Sequence, residues 1–301
     1  MMMKVGIIGT GLMGKPMAGN LLKAGYTLNV YARHPEKVED LKNNGARIVA
    51  SPADVGAQSE VVILSLPFDP DVEEVMTGEG GILSASSPGT LILDTTTGTT
   101  EGSIRMAALA AEKRVGYLDA PISGGVQRAI EGALTFMVGG EKDHVEKARP
   151  LMEKLGRNIF HVGPVGSGRT IKTLNQLISA LNTLTLCETV VLGQMAGVNP
   201  ETLYEVLSSC AANSYHLQTK LPNFIIPGKF EGGHRISMMI KDLEIVLRLA
   251  KEKKTPTILT GLAMQLYRAG AGAGYAQKDI SSMVNFFGSF VGLDFSKPDT
   301  P

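Results

Sequence analysis

Lys172 and Asn175 stand one helical turn apart, just after the Gly/Pro-rich stretch Gly163-Pro164-Val165-Gly166-Ser167-Gly168. A helix starting there would set an ammonium and a carboxamide on one face. A lysine can give or take a proton and steady an oxyanion, most readily when its pKa is drawn down from about 10.4. On position alone, a lysine at a helix start is at least as often a solvated surface residue. Its meaning depends on what the rest of the chain builds around it.

Three further groups bear on that question. Gly9-Thr10-Gly11-Leu12-Met13-Gly14 lies between an apolar run and an amphipathic stretch. In a dinucleotide-binding turn the first glycine permits the tight bend, the second lets a pyrophosphate approach the backbone, and the third lets helix and strand pack closely. The start of the helix that follows offers N–H groups and a positive dipole end to phosphate. Arg33 and His34 follow the second apolar run, where NAD-binding chains usually carry an acid for the ribose hydroxyls. With no acid at that place, Arg33 is placed to meet a 2′-phosphate, with His34 assisting, which favours NADP with NAD as the alternative. Arg33 also reads as a solvated loop residue that stacks on the adenine. Ser123-Gly124-Gly125 reads equally as a nest for a carboxylate and as a plain structural turn.

The elements that must position these residues alternate in type. Strands are expected at 4–8, 27–31, 47–49, 61–66, 90–93 and 116–119, and helices at 15–24, 35–43, a start at Ser51-Pro52, 71–77 and 101–113. That alternation predicts a doubly wound parallel sheet, whose ligands sit outside the carboxyl ends of the strands. Leu66, Pro67, Thr96 and Thr97 fall at such ends, where they would touch a cofactor or merely cap the strands. An added antiparallel strand at 134–138, a helix at 143–155 and an edge strand at 158–162 complete the first half. Beyond the break at 163–168, residues 169–196 read as one long apolar helix, buried within the chain or between subunits. Helices are expected to start at Val198-Asn199-Pro200-Glu201 and to cover 240–253, 256–270 and 278–290, with a Gly/Ala linker at 270–274 and a frayed tail after Leu293. The predicted division is a nucleotide-binding domain at 1–164 and an all-α domain at 165–301.

Composition narrows the class. Lys+Arg and Asp+Glu balance at 29 each, so no global charge draws the chain to nucleic acid or to a membrane surface. No run of 18 or more apolar residues is present, and Gly6, Gly9, Gly11 and Gly14 break up a leader-like N-terminus. The histidines are scattered without metal-ligand spacing, and no metal is expected. Cys187 and Cys210 form no CxxC pair and read as two buried free thiols in a reducing, cytoplasmic setting.

Taken together, four motifs in this order resemble the β-hydroxyacid dehydrogenase family over about residues 3–293. They are Gly9-x-Gly11-x-x-Gly14-x-x-x-Ala18, Asp119-Ala-Pro-Ile-Ser-Gly-Gly125, Gly166-x-Gly168-x-x-x-Lys172-x-x-Asn175, and Lys241-Asp242 followed by Ala250. The resemblance implies an N-terminal Rossmann domain followed by an all-α domain for substrate and oligomerisation. It implies Lys172 as the catalytic acid/base and Asn175 as the residue that orients the substrate. Ser123, Gly124 and Gly125 would hold the substrate carboxylate. Gly9 to Gly14, Arg33, His34, Leu66, Pro67, Thr97 and Lys241 would bind the cofactor. Two positions depart from the family pattern. Asn175-Gln176 replaces a common Asn-Asn pair, as in the tartronate semialdehyde branch, and Ala32-Arg33 replaces the Asn-Arg of many NADP users.

The implied reaction is NADP(H)-dependent interconversion of a small β- or γ-hydroxy acid and its semialdehyde, of 3-hydroxyisobutyrate or tartronate semialdehyde type. The alternatives are a related NAD-using reductase of succinic semialdehyde, threonate or another hydroxy acid, and a cofactor-binding scaffold without catalysis. The long apolar helix leads to the expectation of a homodimer or homotetramer.

Overall fold

The computed structural model describes residues 3–296. The chain divides into two compact units, one ending at Lys172 and the other starting at Thr173. The first unit alternates β1 (Lys4–Ile8), α1 (Gly14–Lys23), β2 (Thr27–Tyr31), α2 (Glu39–Asn43), β3 (Arg47–Ile48), α3 (Pro52–Gln58), β4 (Val61–Leu64), α4 (Asp69–Thr77), β5 (Leu91–Asp94), α5 (Thr100–Glu112) and β6 (Gly116–Asp119). Then come β7 (Ile122–Ser123), α6 (Gly125–Ile130), β8 (Leu134–Gly139), α7 (Lys142–Met152) and β9 (Gly156–Gly163). The strands lie in the order β3-β2-β1-β4-β5-β6, all parallel, which is a doubly wound sheet. β8 adds to β6 antiparallel, as expected, and β9 pairs with β8 in parallel.

Sequence periodicity explains this layering. β4, β5 and β6 are buried along their whole length because helices cover both faces. Val5, Ile7, Ile63, Leu91 and Leu93 pack with Met17 and Leu21 of α1 on one face. Ile8, Val62, Leu64 and Ile92 pack with Val55 of α3 and Met106 of α5 on the other. Ser51 caps α3 by accepting the Asp54 N–H at 3.1 Å, and Pro52 opens the helix.

Helix α8 (Ser167–Met195) starts in the first unit and runs through the second. The rest of the second unit is helical: α9 (Pro200–Leu207), α10 (Tyr215–Lys220), α11 (Ile236–Glu252), α12 (Ile258–Gly270) and α13 (Met283–Gly288). Ala180, Leu184, Cys187 and Val190 of α8 join a core with Leu217, Met239, Leu243, Met264, Tyr267 and Met283. By length and composition α8 could cross a membrane, yet this inner face is packed as a core helix. Its other face is not covered within the chain, where Ile171, Leu174, Ile178, Leu192 and Met195 are exposed.

Several expectations are corrected. The helix expected over 35–43 is a tight turn of 3₁₀ at Pro35–Val38 followed by α2. The Gly/Ala linker at 270–274 is a wide helical turn, Ala271–Tyr275, which continues α12 until Gly274 takes φ +100°. The helix expected over 278–290 is short α13 flanked by 3₁₀ turns at Ile280–Ser282 and Ser289–Val291. α6 and α10 are too short to show a period, and neither was expected. The tail is anchored up to residue 296, because the Phe295 N–H donates to Asn285 Oδ1 at 2.7 Å. Residues 297–301 of the expected frayed tail lie outside the described residues. Cys187 is buried, but Cys210 is exposed in the turns after α9.

Candidate active site

The order β3-β2-β1-β4-β5-β6 reverses direction between β1 and β4, and a crevice opens at the carboxyl ends of strands at such a point. Gly9 follows β1 there with φ +95°, and a Cβ on it would lie 2.2 Å from the Ser65 carbonyl oxygen. Gly14 begins α1, and a Cβ on it would lie 1.8 Å from the Gly9 carbonyl oxygen. These two glycines let strand, turn and helix close on one another. Gly11 differs, since a Cβ there would meet nothing within 4 Å. Its surroundings are open, as a turn that receives a ligand backbone-first requires. No side chain caps the start of α1 at Met13, and Leu12 is exposed on the rim. Thr10, Gly11 and Leu12 also border a groove of about 680 Å³ that Lys15 and Lys23 of α1 and Lys37 help to line. A phosphate-bearing dinucleotide fits this turn on its backbone geometry and open space.

The neighbouring strand ends supply the other predicted residues. Arg33 follows β2, largely exposed, with Nη2 3.1 Å from Asp71 Oδ1. An ion pair so open to water contributes little, so Arg33 can exchange this partner for a phosphate. His34 Nδ1 sits 3.2 Å from Glu36 Oε1. After β4 the Leu66 N–H donates to Thr96 Oγ1 at 3.1 Å, which ties that loop to the end of β5. Leu66 is half-buried, Pro67 exposed and Thr97 half-buried. After β6, Ser123 pairs with Thr135 across β7 and β8, and Gly124 and Gly125 follow at φ +129° and +72°. Left-handed backbone at two successive residues favours glycine, and it turns the chain into α6.

Lys172 is 8% exposed, on the second turn of α8. What fixes that turn is a contact between two of the motifs, a role the sequence did not assign to their residues. Asp119, the last residue of β6, accepts the Gly166 N–H at 2.7 Å and the Arg169 N–H at 2.8 Å. A carboxylate on the free N–H groups of a helix start is favoured by charge and dipole together. The Arg169 side chain, 1% exposed, turns back to the sheet. Its guanidinium donates to Asp94 at 2.6 Å and to Asp69 at 2.7 Å, and Tyr117 Oη donates to the same Asp94 oxygen at 2.6 Å. Asp94 and Asp119 are register partners on β5 and β6. Burial pushes the Asp119 carboxyl up to about 6, against the lowering by the two N–H donors and by Arg169. Burial works against the Arg169 charge too, but Asp94, Tyr117 and Asp69 outweigh it and hold the guanidinium more firmly than usual. A lone arginine in an apolar helix, and aspartates closing two adjacent strands, were the sequence signals of this cluster.

The remaining predicted residues belong to the second unit. Asn175 is half-buried, and its Nδ2 donates to Gln176 Oε1 at 2.9 Å. Gln176 Nε2 in turn donates to Asp242 Oδ2. Asp242 is 2% exposed and also lies 3.1 Å from His234 Nε2 and 3.0 Å from Lys241 Nζ. Among the described residues no group of three or more His, Cys, Asp or Glu could hold a metal ion.

Residues 4–163 match the family described as the NAD binding domain of 6-phosphogluconate dehydrogenase. Residues 166–287 match the family described as NAD-binding of NADP-dependent 3-hydroxyisobutyrate dehydrogenase. The chain is 37% identical over 293 residues to 2-(hydroxymethyl)glutarate dehydrogenase of Eubacterium barkeri, covering 97% of each chain. It is 37% identical over 292 residues to the NAD-dependent L-serine dehydrogenase of Pseudomonas aeruginosa, covering 95% of this chain and 98% of that one. Among solved structures it is similar to 3-hydroxyisobutyrate dehydrogenase of Mycobacterium tuberculosis with L-serine, at TM-score 0.84 and 28% identity, covering 95% and 99% of the two chains.

Proposed function

We propose that this chain, which belongs to the β-hydroxyacid dehydrogenase family, interconverts a small β-hydroxy acid and its semialdehyde, with Lys172 as the general acid/base. The chain is an NAD(P)-dependent oxidoreductase acting on CH–OH groups. The substrate class is our reading. The names 2-(hydroxymethyl)glutarate, L-serine and 3-hydroxyisobutyrate share one framework, a carboxylate with a hydroxyl on the carbon β to it. A 3-hydroxy acid of this kind, with 3-hydroxyisobutyrate and the glycerate formed by reducing tartronate semialdehyde as the types, is therefore favoured over a γ-hydroxy acid.

The observation that carries the reading is the placing of Lys172. It lies one turn beyond Arg169, whose N–H is bound by Asp119 at the carboxyl end of β6. The glycine turn after β1 and the Ser123 turn after β6 occupy the same end of the same sheet. When bound, the nicotinamide supplies or accepts the hydride at the carbinol carbon. The Lys172 ammonium gives a proton to the carbonyl oxygen as the alcohol forms, and the amine takes it back in oxidation. Its charge also stabilises the developing oxyanion. The Ser123 hydroxyl and the N–H groups of Gly124 and Gly125 hold the carboxylate, which fixes the distance from acid group to reacting carbon. Asn175, one turn along α8, orients the substrate hydroxyl.

For the coenzyme, Arg33 favours NADP(H), and the likeness to an NAD-dependent relative supports NAD(H) as the second reading. The exposed Ile171, Leu174, Ile178, Leu192 and Met195 on α8, with Ile258, Leu259 and Leu262 on α12, support a homodimer or homotetramer. The test is oxidation of 3-hydroxyisobutyrate, L-serine, glycerate and 4-hydroxybutyrate with each coenzyme, followed by nicotinamide absorbance. Turnover confined to the β-hydroxy acids is expected. Turnover of 4-hydroxybutyrate alone, or of none, would overturn the reading.

A further inference from the structure

Arg33 and Asp71 come from opposite sides of the same crevice. Arg33 lies two residues beyond β2, and Asp71 sits in the first turn of α4, the helix that follows β4. β2 and β4 are the two neighbours of β1, and Tyr31 and Leu64 both pair with Ile8. Neighbouring strands lie about 4.8 Å apart, so the ends of β2 and β4 stand roughly 10 Å from each other. The ion pair, Arg33 Nη2 to Asp71 Oδ1 at 3.1 Å, therefore spans the carboxyl end of β1, where the Gly9 turn begins. Its two partners differ in freedom. The Arg33 side chain is 67% exposed and the Asp71 side chain 19%. Asp71 is a short side chain at a helix start, where the dipole favours negative charge. It is the fixed end of the pair, and Arg33, on its long stem, is the end that swings.

We infer that Asp71 is a specificity-determining residue for the coenzyme: it competes with a 2′-phosphate for the Arg33 guanidinium and so narrows the preference for NADP(H) over NAD(H). This rests on the reading that Arg33 meets the 2′-phosphate. A carboxylate and a phosphate seek the same fork of N–H donors, so the phosphate must take that fork from Asp71 or share it. NAD(H) carries a hydroxyl at that place and leaves the pair intact. The cost of breaking the pair thus falls on one coenzyme alone. Because the pair is open to water the cost is modest, enough to adjust the preference. The acid that NAD-binding chains carry at the end of β2 is absent here. Asp71 on α4 does a weaker form of its work through Arg33.

The test is fluorescence titration of the whole protein with NADPH and with NADH, without substrate. Asp71→Asn keeps the shape of the side chain and removes its charge. It is expected to tighten NADPH binding about threefold to tenfold and to move NADH binding less than about twofold. In an Arg33→Ala background the same change should tighten NADPH binding less than about twofold, since the group competed for is gone. Unchanged or weaker NADPH binding by Asp71→Asn would overturn the inference, and so would a gain of the same size without Arg33. Equal shifts for both coenzymes would place Asp71 at the adenine and overturn it as well. The parent reading fails by a different result. An Arg33→Ala variant with the wild-type ratio of NADPH to NADH affinity would take the 2′-phosphate away from Arg33, and this inference with it.

Discussion

The backbone N–H of Arg169 donates to the Asp119 carboxylate at 2.8 Å, so the last parallel strand of the sheet grips the helix that carries Lys172. The same arginine sends its guanidinium back to Asp94, the register partner of Asp119 on the next strand. Helix start and sheet end are thus joined through one residue by backbone and side chain. Removing one member of such a buried set leaves a charge or a donor unmatched, typically at a cost of about 3–5 kcal/mol.

This joint carries a pH signature. Asp119 has its carboxyl pushed up to about 6 by burial, above its ordinary 3.8, so the folded protein holds that proton more tightly than the unfolded chain. Its stabilising contribution is full below about pH 3.8 and is lost as pH rises through about 6, amounting to about 3 kcal/mol. Asp119→Asn stays neutral throughout but gives up one of the two N–H acceptors, costing about 1–3 kcal/mol. Thermal melts should therefore show the gap between wild type and Asp119→Asn shrinking from about pH 5 to about pH 7. A gap that widens over that range would contradict the assignment.

The glycine turn predicts two different failures. Gly14→Ala forces a Cβ to 1.8 Å from the Gly9 carbonyl oxygen, so the turn must open, and stability should fall by about 2–4 kcal/mol. Gly11→Ala has nothing within 4 Å to strike and no left-handed backbone to strain, so its stability should stay within about 1 kcal/mol. Its coenzyme affinity should nevertheless fall about tenfold or more, because the open space is what the pyrophosphate needs. Melting curves and coenzyme titration of both variants separate these outcomes.

The proposed preference for NADP(H) rests on Arg33. Its exposed pairing with Asp71 holds it loosely, and a bidentate contact to a 2′-phosphate would be far stronger. Arg33→Ala should lower kcat/KM for NADP(H) about tenfold to a hundredfold and change that for NAD(H) less than about twofold. Equal losses with both coenzymes would place the arginine on the adenine instead.

Much of the first unit was legible because its elements are periodic and its glycines have separate steric duties. Buried runs such as Val61–Leu64 and the spacing Gly9, Gly11, Gly14 follow from backbone geometry alone. The joint at Asp119 was not legible, since a strand-end aspartate shows no sign of which helix start it binds 47 residues on. The amide chain through Gln176 to Asp242 was hidden likewise by a separation of 66 residues. In the second unit Ala271–Tyr275 read as a linker, because glycine and alanine give no apolar period even where a wide helical turn continues. Cys210 read as buried from its neighbours, but the turns after α9 turn it to solvent.

The central claim is that Lys172 moves the proton, and one pair of measurements on Lys172→Ala tests it most directly. Coenzyme affinity, read by nicotinamide fluorescence titration, should stay within about twofold of wild type. The kcat for the best β-hydroxy acid should fall by about a hundredfold to ten-thousandfold. A variant that binds coenzyme normally and turns over at close to the wild-type rate would contradict the account.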